Sequence, residues 1–336
     1  MTTSGTVLGI DVGGTKTDAV LIAPDGSLLA RVLGPGANHE VFGRVEAEAR
    51  VREVVRRLLA SASVSLDAVT ASVWGFAGLD SPADEVRHRR FVVELGFPRN
   101  SIVVNDAFLA LDGAVAAGHG IAILSGTGAI VVGRSPHGVT ARTLGIGAAR
   151  GEWGSGSDII DAAARAVAEA HLGTGPETAL TEIALRRSGA PTVPAYAHEV
   201  WRHASPHLLP PDVWELVALG DPACIRIRDR VADSLAAGAA YVARQLHLEG
   251  EGEVVLAGRV LDPGHPVLHQ AILTALAGEL PGCRVRRLGI APVAGAAVAA
   301  ARLAGWEPSL LTRTRQALNR DDALMSEAGA GRDGRP

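Results

Sequence analysis

Aromatic residues make up 4% of this 336-residue chain, too few for a base-stacking surface. Cysteine is nearly absent. Cys224 and Cys283 form no CxxC, no metal-ligand spacing and no disulfide framework, so a reducing cytoplasm is the expected setting. Charge of one sign is also missing. With 32 basic and 36 acidic residues the net charge is −4, which leaves no footprint for a polyanion and excludes nucleic acid as an expected partner. No apolar run is long enough to span a bilayer; the best stretch, Gly289 to Ala301, is Ala/Gly-rich and contains Pro292. The start of the chain enters a strand-like run at once, without a basic or apolar leader. These absences predict a soluble, cytoplasmic protein with no membrane partner.

What is present is ample core material. Hydrophobic residues are 47% and charged residues 20%, which excludes disorder for most of the chain and predicts two domains. The 40 glycines fall at isolated turns without a fixed period, which excludes collagen and solenoids. Lysine occurs once, as Lys16 in a Gly-rich turn; every other basic residue is arginine. The two are not interchangeable at a phosphate.

Residues 7–12, 17–23 and 27–33 read as three strands joined by the turns at Gly13-Gly14 and Pro24-Asp25-Gly26, an antiparallel meander. A helical pattern covers 40–62, followed by strand 71–76, helix 82–95, strand 101–104 and helix 107–117. Then the pattern restarts. Residues 120–124 and 129–134 are strands around Ser125-Gly126-Thr127-Gly128, and 139–145 suits a third. A helical region over 156–247, broken near Gly173, Gly189 and Pro210-Pro211, precedes strand 253–257, helix 264–279, strand 284–288 and helix 292–304. This predicts a duplicated α/β architecture with a central cleft. The expected parts are a first domain over 1–117, a second with a helical insert over 118–308, and a tail over 309–336 whose last dozen residues are disordered.

Three motifs carry chemistry. In Gly9-Ile10-Asp11-Val12-Gly13-Gly14-Thr15-Lys16-Thr17, glycines bring backbone amides near an anion. Thr15 and Thr17 add hydroxyls, Lys16 adds charge, and Asp11 at a strand end can hold Mg²⁺ directly or through water. The plain alternative is an ordinary glycine hairpin. Ser125-Gly126-Thr127-Gly128 repeats the strand–turn–strand device, and the pair is far stronger than either turn alone. Asp106, after Ile102-Val103-Val104-Asn105, ends a strand and opens a helix. A carboxylate there can take a proton from a hydroxyl attacking a γ-phosphate; the plain alternative is an N-cap.

With these residues in order, the chain resembles the sugar-kinase, actin and heat-shock-chaperone superfamily of ATPases, over about residues 7–305. Within it the chain looks like the N-acetylglucosamine kinase branch of the BadF/BadG/BcrA/BcrD family. Further matches are Gly36-Ala37-Asn38-His39, Gly145-Ile146-Gly147, Gly151-Glu152-Trp153-Gly154-Ser155-Gly156, Val254-Val255-Leu256-Ala257-Gly258 and Pro292-Val293-Ala294-Gly295-Ala296. The resemblance implies two actin-like (ribonuclease H-like) domains and an ATP- and Mg²⁺-dependent transfer of phosphate to an amino sugar. Separately, a homodimer is the expected default, with the helices between 193 and 247 as its face. Asp11 would position Mg²⁺. Gly13, Gly14, Thr15, Lys16, Ser125, Gly126, Thr127 and Gly128 would bind phosphates, and Gly258 would admit adenosine. Asp106 would be the general base; Asn38, Asn105 and Glu152 would join it at the sugar.

The chain departs from that pattern at Ile146, where an aromatic is common, and at Gly-Glu-Trp-Gly, where Gly-Asp-Glu-Gly is common. Trp153 either restores the lost aromatic surface or packs; Arg259 after Gly258 either stacks on adenine or obstructs it. Two other activities fit the same fold. One is an ATPase that activates a dehydratase or reductase through a cysteine-held iron–sulfur cluster, for which two scattered cysteines are too few. The other is a non-catalytic sugar-binding regulator, against which Asp106 and both hairpins argue.

Overall fold

Strand β1 (Thr6–Val12) is apolar on both faces and buried along nearly its whole length, the signature of a central strand. It pairs antiparallel with β2 (Lys16–Ile22), which pairs antiparallel with β3 (Leu28–Pro35), so the expected meander forms. On its other edge β1 runs parallel to β4 (Val69–Phe76), and β4 parallel to β5 (Ser101–Asn105). The sheet order is β3-β2-β1-β4-β5. This is a computed structural model describing residues 5–203, 207–250, 252–261 and 265–330.

The single helix expected over 40–62 is two. Gly43, at φ 74°, separates the one-turn α1 (His39–Phe42) from α2 (Arg44–Ala62), because that left-handed conformation ends the first turn. Helices α3 (Pro82–Glu94) and α4 (Ala107–Ala114) complete the first crossover pattern. Leu8, Ile10, Trp74 and Phe76 form one core with Val51, Val54 and Leu58 of α2.

The second sheet repeats the first. Its order, β10-β9-β6-β7-β8, again puts a hairpin beside a central strand and two later strands on the far edge. The strands are β6 (Gly120–Ser125), β7 (Ala129–Arg134), β8 (Thr140–Arg142), β9 (Glu253–Ala257) and β10 (Arg284–Arg287). Helices α5 (Gly156–Leu172), α6 (Leu180–Ser188), α7 (Val193–His203), α8 (Pro210–Ala218), α9 (Pro222–Leu246) and α10 (Pro266–Glu279) fill the helical region. Its breaks fall where expected: Gly173 and Gly189 end α5 and α6 at φ 72° and 71°, and Pro210 opens α8.

The boundary between the two units differs from the expected 117/118 and 308/309. Residues through Gly120 join those from Arg286 onward in one unit, and 121–285 form the other. The reason lies in α11 (Pro292–Leu303), whose small side chains let it lie directly on β1 and α4. A Cβ on Gly295 would stand 1.9 Å from the Leu109 carbonyl oxygen, and one on Gly9 would stand 2.4 Å from the Ala297 nitrogen. The expected tail is also structured. Helix α12 (Pro308–Ala330) buries Thr314 and Leu318 completely, and Asp321 and Asp322 ion-pair with Arg31. The six residues after Ala330, the rest of the stretch expected to be disordered, lie outside the described residues.

Candidate active site

In the first unit the site is the end of β1 and the turn to β2. The Gly13 amide donates to the Lys16 carbonyl at 3.0 Å, closing the turn, and Gly14, Thr15 and Lys16 are exposed. Nothing lies within 4 Å of a Cβ placed on Gly14, so no packing contact requires glycine there. The same holds at Gly126 and Gly128 in the second hairpin. Three bare turn positions at matching places leave backbone open to an approaching anion. Thr17 differs from expectation: it is buried and its hydroxyl donates to the Pro35 carbonyl at 2.9 Å, away from solvent. The Lys16 ammonium, half exposed, sits 3.5 Å from Asp18, which Arg31 grips with two nitrogens at 3.0 and 2.7 Å.

Asp11 stands opposite Asp18 in the β1–β2 register and opposite Gly75 on β4. Burial raises its pKa to about 8, the Asp106 and Asp18 carboxylates add to the rise, and Lys16 opposes it. Converging negative charge that holds a proton is a fitting place for a hard divalent cation. Among the described residues no three His, Cys, Asp or Glu side chains converge on a metal position. A Mg²⁺ ion here would therefore take one carboxylate from Asp11 and its other oxygens from water and phosphate, which is the usual mode for nucleotide-bound magnesium.

Asp106 occupies the N-cap position of α4 but makes no side-chain capping bond, so the plain capping account does not hold. Its neighbour caps instead. Asn105 Oδ1 accepts from the Ala107 amide at 3.0 Å, and Nδ2 donates to the Leu79 carbonyl and to Asp80 at 3.3 Å each. Asn105 is 5% exposed and both ends of its amide serve the protein, so it holds the loop rather than presenting a group to substrate. The Asp106 backbone amide donates to the Phe76 carbonyl at 3.3 Å. Gly75 admits this arrangement: a Cβ there would meet Leu109 at 2.4 Å and the Asp106 Cα at 3.2 Å. Burial raises the Asp106 pKa to about 6, and Asp80 adds to the rise. The Asp80 carboxylate thus bears on the candidate base.

Asn38 starts α1 and accepts from the Glu40 amide through Oδ1 at 2.8 Å. Its Nδ2 has no acceptor among the described residues. The tight approach of Gly78 at φ 80° to Asn38 Oδ1 seats this segment against the end of β4.

The second unit holds the second hairpin. Thr127 and Gly128 are exposed at its tip, whereas Ser125 is fully buried and donates its hydroxyl to the Gly154 carbonyl. Ser125 therefore ties the turn to the segment before α5 and has no hydroxyl left for phosphate. The Gly156 amide donates to the Gly126 carbonyl at 2.7 Å, fastening α5 to the same turn. Gly258, at φ 98°, is required by the hairpin itself: a Cβ would stand 2.1 Å from the Ser125 carbonyl oxygen. Arg259 beside it is exposed.

Glu152 spends both carboxylate oxygens on loop amides, Leu144 at 2.6 Å and Ile146 at 2.8 Å. Asp158 accepts from Ala148, Gly154 and Ser155 at 3.2, 3.2 and 2.9 Å, and the Ser155 side chain returns the capping bond. Two acids thus organise residues 144–158 through five amides, and Glu152, expected at the sugar, turns both oxygens to the loop. Trp153 packs: the Arg230 guanidinium lies 3.8 Å above its ring and its amide donates to Ser234 at 3.0 Å. Glu152, Trp153, Arg230 and Tyr241 line a cavity of about 960 Å³ between β7 and α9. Burial pushes the pKa of both thiols, Cys224 and Cys283, upward. No helix among the described residues is long and apolar enough to cross a membrane.

Two five-stranded sheets of one order, each opening with a Gly/Thr hairpin, define a duplicated actin-like ATPase fold. Such a fold is shared with a candidate N-acetylglucosamine kinase from Chromobacterium violaceum, whose crystal structure matches at TM-score 0.61 and 22% identity over 88% of this chain and 98% of that one. The profile of the BadF/BadG/BcrA/BcrD ATPase family matches residues 8–300, and the chain belongs to that family. Among named relatives, an N-acetyl-D-glucosamine kinase from Dictyostelium discoideum is 32% identical over 54% of this chain and 59% of its own length. An N-acetylmuramic acid/N-acetylglucosamine kinase from Clostridium acetobutylicum is 34% identical over 52% and 57%. The matched segment is thus somewhat over half of each relative.

Proposed function

We propose that the chain is an ATP-dependent sugar kinase that phosphorylates a hexosamine hydroxyl, with the 6-hydroxyl of N-acetylglucosamine as first candidate. The observation that carries this reading is Asp106: a carboxylate at a strand end, freed from capping by Asn105 and raised to about 6, in the same unit as Asp11 and the exposed turn at Gly14. A base of that strength is ionised at neutral pH and still accepts a proton usefully. In this reading Asp106 takes the proton of the sugar hydroxyl as it attacks. Lys16 and the open amides of its turn offset the charge of the transferring phosphoryl group. Mg²⁺, held through Asp11, would supply the remaining neutralisation. Asn38, with its Nδ2 available, orients the sugar. In the second unit Ser125, Glu152 and Gly258 hold the loops around its own hairpin, whose open amides bind phosphate. A homodimer belongs to the proposal as well; α9 supports it with an exposed stripe through Arg226, Arg230, Asp233 and Tyr241 that carries both signs of charge.

The test is ADP release from ATP-Mg²⁺ across N-acetylglucosamine, glucosamine, N-acetylmannosamine, N-acetylmuramic acid and glucose. Release that requires one sugar, and that falls by roughly 10²–10⁴ in Asp106→Ala, is the expected result. Sugar-independent hydrolysis, or no turnover with any of the five, overturns the kinase reading.

A further inference from the structure

Beside the Asn38 segment lies a pair of histidines that the phosphoryl-transfer reading does not use. His88 of α3 is 6% exposed and stacks on Phe76 with ring centres 4.1 Å apart. His39, the residue after Asn38, meets His88 edge-on at 5.0 Å, and its Nε2 is 3.6 Å from Asp84. His39 Nδ1 and His88 Nε2 are both buried without a hydrogen-bond partner among the described residues. Two unpartnered ring nitrogens are costly in a packed interior, because each gives up its bond to water. Both rings line one small cavity, together with Phe76 and Phe91, that leaves about 10 Å³ for the centre of a water molecule. That is enough room for a water.

We infer that a single buried water bridges His39 Nδ1 and His88 Nε2 and locks the Asn38 segment in place, making both histidines positioning residues for the acceptor sugar. The inference rests on the reading of Asn38 as a sugar contact. The links are short. Asn38 sets the course of α1 by accepting from the Glu40, Val41 and Phe42 amides at 2.8, 3.1 and 3.1 Å. His39 is the first residue of that turn, so where its ring is held decides where Asn38 points. His88 holds it, and His88 rests on Phe76, whose carbonyl seats the Asp106 amide. One row of rings therefore joins the segment that would orient the sugar to the strand end that carries the base. Burial, with His39 next in effect, lowers the pKa of His88 to about 4, so its ring is neutral and carries one donor and one acceptor for a water.

The experiment compares His88→Phe, which keeps the stack and removes the nitrogen, with His88→Gln, which keeps a polar atom near Nε2. Asn38→Ala runs beside them. Expected is a sugar KM raised about tenfold in His88→Phe and less than about threefold in His88→Gln, with kcat and the KM for ATP within about twofold of wild type. A wild-type crystal structure at about 1.8 Å should show one water within ~3.2 Å of both nitrogens. No water there, or equal losses in the two His88 variants, overturns the lock. An unchanged sugar KM in Asn38→Ala instead overturns the sugar-contact reading and leaves the water to be judged by the crystal structure alone, including where the His88 variants do not fold.

Discussion

Asp106 and Asn105 are adjacent, polar and of similar size, and the fold gives them opposite tasks. Asn105 turns inward and bonds three partners, the Ala107 amide, the Leu79 carbonyl and Asp80; Asp106 makes no side-chain capping bond to α4. A raised pKa near 6 has a defined consequence for rate. The base works ionised, so kcat/KM should hold level above about pH 6 and fall tenfold per unit below it. A pH–rate profile whose acid limb breaks near 4 would remove Asp106 from that role. The same shift has a cost in stability. The folded state binds this proton more tightly than the unfolded chain, so the contribution favours folding at low pH and is lost as pH rises through about 6. Asp106→Asn should therefore lose activity yet melt a few degrees higher than wild type at pH 8, by ~1–3 kcal/mol, with the difference shrinking at pH 5. The sequence made Asp11, Lys16 and Asp106 visible because strand-end acids and a lone lysine stand out along a chain. It could not show that Ser125, Thr17 and Glu152 turn their polar atoms inward. That depends on which carbonyl or amide lies across the gap, and those partners are set by tertiary packing.

Glycines separate at the level of the element into those that packing demands and those it leaves bare. Gly295 of α11 is of the first kind, because a Cβ would run into the Leu109 carbonyl of α4. Backbone cannot retreat as a flexible side chain can, so Gly295→Ala should destabilise the protein by ~1–3 kcal/mol, seen as a fall in the urea midpoint. Gly126 is of the second kind. With nothing within 4 Å of its Cβ position, Gly126→Ala should leave the same midpoint unchanged within about 0.5 kcal/mol while raising the KM for ATP several-fold. Equal stability losses in the two would show that the hairpin glycine is structural. Along the chain both glycines look alike. Periodicity placed α11 and the hairpin correctly, since apolar spacing and turn dipeptides are local signals. It was silent on which helix lies against which strand.

That silence explains the misplaced domain boundary. Read linearly, the helix over 292–304 continues the second α/β half, whereas in space it covers Val7, Val20, Ile22, Ala71 and Val73 on one face of the first sheet. The first unit is thus made from both ends of the chain, tied further by Arg31 of β3 to Asp321 and Asp322 of α12. The second is a single contiguous stretch with its own core around Ile121, Ile159, Leu235 and Leu256. This asymmetry makes a prediction about fragments. Residues 120–287, expressed alone, should fold cooperatively, because every strand and helix of that core is present. Residues 1–120 alone should not, because the apolar face that α11 covers stays bare to water, at roughly 25 cal/mol for each Å² exposed. Joining 1–120 to 286–330 through a flexible linker should restore a two-state urea transition by circular dichroism. A cooperative transition in 1–120 by itself would mean that α2, α3 and α4 suffice for the first sheet, and that α11 and α12 stabilise a unit already formed.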